Sequence, residues 1–329
     1  MTRLLRALFV LCAAAVVAAA AILGWFRLQA HERETREAAN VAPPSGRFVK
    51  AADVEIFVQE AGPAGGPAVL FVHGTGAWSE TWREAMTAAA GAGFRAIAID
   101  LPPFGFSSRP ANRAYAPADQ GKRIIGVLDA LQIPRAVLVG HSFGGGPTME
   151  AVFDAPGRVR ALVAVDVALG IDAPTEPSPV VNGLLGLTPL RDAVVATFLT
   201  NPAFTQRLLA MFVADPGVAT PERVRIYQRP LAVRGSTRAI GEWLPVLIAP
   251  IGVPRSATAA PYRALAMPVL VIWGDLDTIT PLPQGTTLAK LVPNARLEVL
   301  TGVGHIPQIE NPARFNQVLV RFLAGLPPD

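Results

Sequence analysis

Five residues, Gly140-His141-Ser142-Phe143-Gly144, carry the strongest chemical signal in the chain. They follow the apolar run Ala136–Val139 and precede a stretch of helical composition that continues through Gly145. A Gly-x-Ser-x-Gly sequence between a strand and a helix predicts a sharp, strained turn. Small residues are needed on both flanks because bulk there would clash, and the serine is left projecting alone over the sheet. The helix that begins behind Ser142 adds a field favourable to negative charge developing nearby. Ser142 is therefore the candidate nucleophile.

A serine hydroxyl is a weak nucleophile at neutral pH and must lose its proton to a positioned base. The chain has four histidines, at 31, 73, 141 and 305. His31 falls in a charged N-terminal stretch, and the side chain of His141 should point away from its neighbour Ser142. His305 lies in Gly302-Val303-Gly304-His305-Ile306-Pro307, a loop just past the last β-type run, where a base can reach over the strand ends. That base needs a carboxylate to fix its tautomer and stabilise the imidazolium. The segment Gly274–Pro281 follows Val269–Trp273 and offers Asp275 and Asp277. Asp277 is the better candidate, Asp166 at an earlier strand end is held in reserve, and Asp100 is read as structural. Oxyanion donors are expected from the backbone N–H groups of Phe143 and of Thr75, within His73-Gly74-Thr75-Gly76, with His73 organising its loop. Trp78, Phe104 and Trp243 are expected to line an apolar substrate pocket.

The elements that must hold these residues read as a doubly wound, mainly parallel sheet. Phe48–Lys50 and Val54–Gln59 form an opening antiparallel pair. Then short buried runs at Val69–Val72, Ala96–Ile99, Ala136–Val139, Ala161–Val165, Val269–Trp273 and Leu297–Leu300 alternate with helical stretches. Continuous apolar runs of this kind suit strands covered on both faces. From about Ala168 to Ala266 no such run occurs. That interval carries helical pieces such as Leu190–Leu199, Thr205–Val213 and Pro221–Tyr227. Nearly a hundred residues exceed a plain loop, so residues 168–266 are expected to form a helical insertion over the carboxyl ends of the strands.

The order Ser142, Asp277, His305, with His73-Gly74 upstream and Asp100-Leu101-Pro102-Pro103-Phe104-Gly105 between that motif and the serine, resembles the α/β-hydrolase superfamily over about Arg47 to Leu326. The resemblance implies an eight-stranded core, residues 46–167 and 267–329, with 168–266 as its lid or cap. Haloalkane dehalogenases and epoxide hydrolases of that superfamily use an aspartate at the elbow, and Ser142 argues against both chemistries. The favoured reaction is hydrolysis of an apolar ester or related acyl compound through a Ser142 acyl-enzyme, with no metal or organic cofactor. Within the fold, the alternatives are hydrolysis of a carbon–carbon bond in a ring-cleavage product and cofactor-free, haloperoxidase-like perhydrolysis. Outside catalysis, the alternative is a tethered binding module.

Composition agrees with an enzyme-sized globular chain of 329 residues, 51% hydrophobic and 16% charged, which excludes disorder by low hydrophobicity. The net charge of +4 forms no dense basic stripe, so nucleic acid is not an expected partner. Ala7–Phe26 is an uncharged, mostly apolar stretch between Arg6 and Arg27. As a helix it spans roughly 30 Å, the thickness of a hydrocarbon core. Residues 1–45 are thus expected to be a membrane anchor at 7–26 followed by a tether, with the catalytic domain exported. The alternative is a signal peptide, cleaved after a site such as Ala18-Ala19-Ala20, that releases a secreted protein. Cys12, the only cysteine, lies inside this segment, so the globular part can form no disulfide and no thiolate metal site.

Overall fold

The computed structural model describes residues 3–172, 179–248 and 252–327. Eight strands form one sheet: β1 (Gly46–Ala51), β2 (Val54–Ala61), β3 (Ala68–Val72), β4 (Arg95–Ile99), β5 (Ala136–His141), β6 (Val159–Val165), β7 (Val269–Gly274) and β8 (Ala295–Leu300). Their spatial order is β1-β2-β4-β3-β5-β6-β7-β8. The opening hairpin β1–β2 and the β2–β4 pair are antiparallel, and every later pairing is parallel. The fold is therefore the expected α/β architecture.

The two-residue period of a strand explains the layering. Leu70, Val72, Ile97, Ile99, Leu138 and Leu162 point to one face. Val69, Phe71, Ala96, Ala98, Val137, Val139 and Val163 point to the other. The first face is covered by α4 (Pro117–Ala130) and α5 (Gly145–Asp154) through Ile124, Val127, Leu128, Met149 and Val152. The second is covered by α3 (Arg83–Gly91) and the C-terminal α13 (Pro312–Ala324) through Met86, Ala89, Phe315 and Leu319. Also on the core are α11 (Leu282–Leu291) and the short α12 (Pro307–Glu310).

Between β6 and β7 the chain forms α6 (Pro179–Gly186), α7 (Thr188–Phe198), α8 (Pro202–Phe212), α9 (Pro221–Gln228) and α10 (Ser236–Ile248). Proline starts several of these helices, where its missing N–H removes nothing. The side chains of Asn201 and Thr220 accept hydrogen bonds from the amides of Ala203 and Arg223 and cap α8 and α9. Helix α10 is an addition to the sequence reading. It contains Pro245 and packs Ile240, Trp243 and Leu244 inward.

The N-terminus departs from the expected tether. Helix α1 runs from Arg3 to Arg33, through His31, and a short α2 (Ala38–Val41) follows it. Glu34 is buried and accepts hydrogen bonds from the amide and hydroxyl of Thr237 on α10. The Arg36 amide bonds to Ala232 O, and the Arg234 amide bonds to Arg36 O. The segment is docked on the insertion through Glu34 and its backbone, while Glu32, Arg36 and Glu37 remain exposed. Burial raises the Glu34 carboxyl above its ordinary pKa, and its bonds from Thr237 and the nearby Arg33 and Arg27 oppose that rise.

Candidate active site

Ser142 sits at the end of β5 with φ +50°, a strained value for a residue with a Cβ. The glycines around it are fixed by close approach. A Cβ on Gly144 would lie 2.4 Å from His73 O, one on Gly140 would lie 2.7 Å from Thr148 Oγ1, and one on Gly74 would lie 2.9 Å from the Ser142 Cβ. The turn can be this tight only with hydrogen at those three positions. Helix α5 begins three residues after Ser142 and starts with Gly145 and Gly146 packed among Val167, Pro117 and Ser256.

The structure brings the three expected catalytic side chains together. The Ser142 hydroxyl donates to His305 Nε2 at 2.8 Å. On the other side of the ring, His305 Nδ1–H donates to Asp277 Oδ2 at 2.8 Å. All three residues are buried. Asp277 also accepts from the Thr280 hydroxyl at 2.6 Å and from the amides of Ile279 and Thr280 at 2.7 and 2.9 Å. Burial pushes the Asp277 carboxyl up, but the hydrogen bond and charge of His305, with those from Thr280, outweigh it and hold the group down at about 2. Asp277 is thus an ionised acceptor.

The His305 backbone is held as firmly as its ring. Its amide donates to Phe212 O at 2.9 Å, and its carbonyl accepts from His141 Nε2–H at 2.8 Å. Burial, with the neighbouring His305, lowers His141 to about 3, so it stays neutral and serves as a donor. His73 fits the loop-organising role expected of it: its Nε2 accepts from the Leu101 amide at 2.9 Å, and burial lowers it to about 4. Asp100 accepts from the amides of Ser79 and Phe106, each at 2.7 Å, which ties two loops beside the site together.

Asp166, the reserve acid, is buried at the end of β6 and accepts one bond, from the Gly274 amide at 2.9 Å. Burial, reinforced by the adjacent Asp277, raises its carboxyl well above the ordinary value. His305 bonds to Asp277, and among the described residues Asp166 Oδ2 has no hydrogen-bond partner.

A cavity with about 150 Å³ of room for the centres of water-sized molecules opens over Ser142 and His305. Thr75 lines it, as expected of an oxyanion donor, and Phe143 follows Ser142 at the helix start. Phe104 and Trp243 also line it, stacked edge-to-face with ring centroids 4.9 Å apart. Trp78 does not. Its ring packs with Phe57, Phe106 and Val233, and its indole N–H donates to Ile226 O at 3.0 Å, so it braces the insertion against the core. The remaining walls come mainly from Leu208, Leu209, Phe212, Leu231 and Ile240 of the insertion.

Sequence reasoning passed over Arg109, the one Lys or Arg among the cavity's lining residues. Its guanidinium donates to Ser107 O, Gly105 O and Ser236 Oγ at 2.7, 3.2 and 3.2 Å. Its Nε–H is buried without an acceptor among the described residues. The signal was available in Ser107-Ser108-Arg109-Pro110, a lone arginine directly after the Gly105-Phe106 turn.

Comparison with known proteins agrees with this geometry. The family described as "alpha/beta hydrolase fold" matches residues 67–312. A 2-hydroxymuconate semialdehyde hydrolase of Pseudomonas sp. (strain CF600) is 33% identical over 86% of this chain and 95% of its own length. Among solved structures, a meta-cleavage product hydrolase from Pseudomonas fluorescens is 27% identical with a TM-score of 0.69, covering 85% of this chain and 97% of the other. A membrane phospholipase A shares the fold at 24% identity and a TM-score of 0.67, with 99% of both chains covered. The sheet order, the strained serine between β5 and α5, and the match over residues 67–312 together establish that this chain is an enzyme-class member of the α/β-hydrolase superfamily.

Proposed function

We propose that the chain is a serine hydrolase that breaks a bond beside a carbonyl carbon of a largely apolar substrate, through an acyl-enzyme on Ser142. The observation that carries this reading is the 2.8 Å contact between Ser142 Oγ and His305 Nε2 on the floor of an apolar cavity. As Oγ bonds to the carbonyl carbon, His305 takes the serine proton and Asp277 stabilises the imidazolium. The carbonyl oxygen becomes an oxyanion facing the amides of Thr75 and Phe143. Collapse expels the leaving group, which takes the proton from His305. Water then attacks the acyl carbon with His305 as base, which frees Ser142 and releases a carboxylic acid.

The leaving group distinguishes two readings. Carbon–carbon hydrolysis of a ring-cleavage product is the first, supported by relatives at about a third identity that are named for such substrates. A carbon leaving group must carry the electron pair into a conjugated system, and the dienoate named in a Rhodococcus hydrolase of known structure, 25% identical to this chain, also bears a carboxylate. Arg109, a cation among the residues that line the cavity, suits that carboxylate. Ester hydrolysis is the second reading, favoured by the apolar remainder of the walls. The test is a parallel assay of a 2-hydroxy-6-oxo-dienoate and of p-nitrophenyl esters of increasing chain length. Under the first reading the dienoate is turned over faster, and Arg109→Gln weakens it while sparing a neutral ester. Fast ester turnover with an inert dienoate selects the second.

Helix α1 is long and apolar enough to cross a bilayer from Leu5. We read it as an uncleaved anchor at residues 7–26 with the catalytic domain exported. A cleaved signal would instead yield protein beginning near residue 21.

A further inference from the structure

The anchor and the insertion are not independent. Arg27 on α1 lies 3.7 Å from Asp192 on α7. Further along, Glu34 reaches Thr237, whose hydroxyl bonds to that of Thr200 just past α7, at 2.7 Å. The two helices therefore run side by side in the same direction. The apolar part of α1 leaves the body at the N-terminal end of α7, where α6 joins it.

Helix length then sets a level. Starting at Ala7, a hydrocarbon core of about 30 Å uses roughly 20 residues of α-helix, which brings its near boundary to about residue 26. By the Arg27–Asp192 pairing, that height on α1 matches about residue 191 on α7. The chain at this height has an unusual surface. Residues 179 to 190, Pro-Val-Val-Asn-Gly-Leu-Leu-Gly-Leu-Thr-Pro-Leu, contain no charged side chain. Val180, Leu184 and Leu187 are nonetheless 70%, 51% and 54% exposed. Exposed apolar residues continue along α7 at helical spacing, Leu190, Val194 and Phe198. Trp25, 58% exposed on α1, is at the same level, where an amphipathic ring suits a headgroup boundary. The first charges past the junction, Arg191 and Asp192, pair with each other, and Asp192 also meets Arg27.

We infer that α6 and the first turn of α7 enter the same leaflet as the end of α1, so that the insertion is a second, interfacial membrane contact. This rests on the anchor reading of α1 and deepens it. The occupant is a lipid bilayer because the apolar surface is continuous with a helix of spanning length and lies at the depth where that helix meets the headgroups. The contact also gives a route to the site. Leu199, partly exposed at the end of the α7 stripe, lines the cavity over Ser142. Leu231 lines it too, and its carbonyl accepts from Arg33 Nε at 3.2 Å at the foot of the anchor. Phe198, Leu199 and Leu231 thus lie between the interfacial contact and the cavity over Ser142, on the side from which an amphiphile held at the membrane would approach.

The test uses the full chain in phosphatidylcholine vesicles containing a lipid-borne quencher, with one environment-sensitive fluorophore per protein. It is attached to the native Cys12 or, in a Cys12→Ser background, to Leu184→Cys, Leu187→Cys or the exposed Thr287→Cys on α11 of the core. Labelling of Ser142 by a fluorophosphonate verifies that each variant is folded. The inference requires that probes at 12, 184 and 187 lose most of their emission to the quencher while the probe at 287 does not. A quenched probe at 12 with unquenched probes at 184 and 187 overturns the interfacial contact and leaves the anchor standing. An unquenched probe at 12 overturns the anchor reading and the inference with it.

Discussion

Asp277 and Asp166 place two carboxyls within 4.8 Å of each other and of a His305 nitrogen, yet their environments assign them opposite charge states. Burial acts on both. Asp277 overcomes it with donors from His305, Thr280 and two amides and falls to about 2, whereas Asp166 has one amide and rises. The depressed group stabilises the fold above the ordinary carboxylate value of about 4, and that contribution is lost as pH falls toward about 2. The raised group does the reverse: its contribution is complete below about 4 and declines as pH rises toward its folded value. Asp277→Asn should therefore lower turnover by roughly ten-thousand-fold with the fold retained, measured by steady-state kinetics beside circular dichroism. Asp166→Asn, which has no proton to lose, should keep most activity and show a flatter fall of thermal midpoint from pH 5 to 9. Retained activity in Asp277→Asn, with loss in Asp166→Asn, would move the acid role to Asp166. The Ser142, Asp277 and His305 positions were legible because each follows a β-type run at a strand end, where side-chain direction hardly matters. Trp78 was not: an aromatic beside an oxyanion loop can face cavity or core, and its indole partner, Ile226 O, comes from a distant part of the chain.

At the scale of elements, β5, the serine turn and α5 pack too closely for a Cβ, with Gly144 against His73 O, Gly140 against the Thr148 hydroxyl and Gly74 against His141 and Ser142. Gly144→Ala would drive a methyl onto His73 O and Val72, and should cost activity and roughly 1–3 kcal/mol of stability through overpacking, read from denaturant midpoints. The helices between β6 and β7 act differently, since they supply most of the apolar cavity wall while the catalytic side chains come from the core. We propose that they form a mobile cap. Trp243→Ala, which removes a buried ring stacked on Phe104 and Phe143, should shift chain-length preference while leaving the reactivity of Ser142 toward a small probe near its original rate. An unchanged profile across short and long substrates would show that the insertion does not shape the pocket. The strands were legible because a sheet covered on both faces writes itself as apolar runs. Residues 31–45 were misread as a tether because local polarity cannot reveal partners such as Thr237 and Ala232, about two hundred residues away.

In the whole molecule an α/β core carries an insertion that walls the site, and the end of the N-terminal helix, from Arg27 to Arg33, meets that insertion. Expressed in a bacterial host, the full chain should sediment with membranes and retain Met1 or Thr2 at its N-terminus, and a reporter fused after Asp329 should register export. Soluble protein beginning near residue 21 would replace the anchor with a cleaved signal. All of these expectations depend on Ser142 forming a covalent intermediate, and that is open to a direct measurement. Incubation with a fluorophosphonate followed by peptide mass analysis should give a single adduct on the peptide containing Ser142, absent from Ser142→Ala and slowed in His305→Ala. Labelling undiminished in Ser142→Ala would contradict the account at its centre.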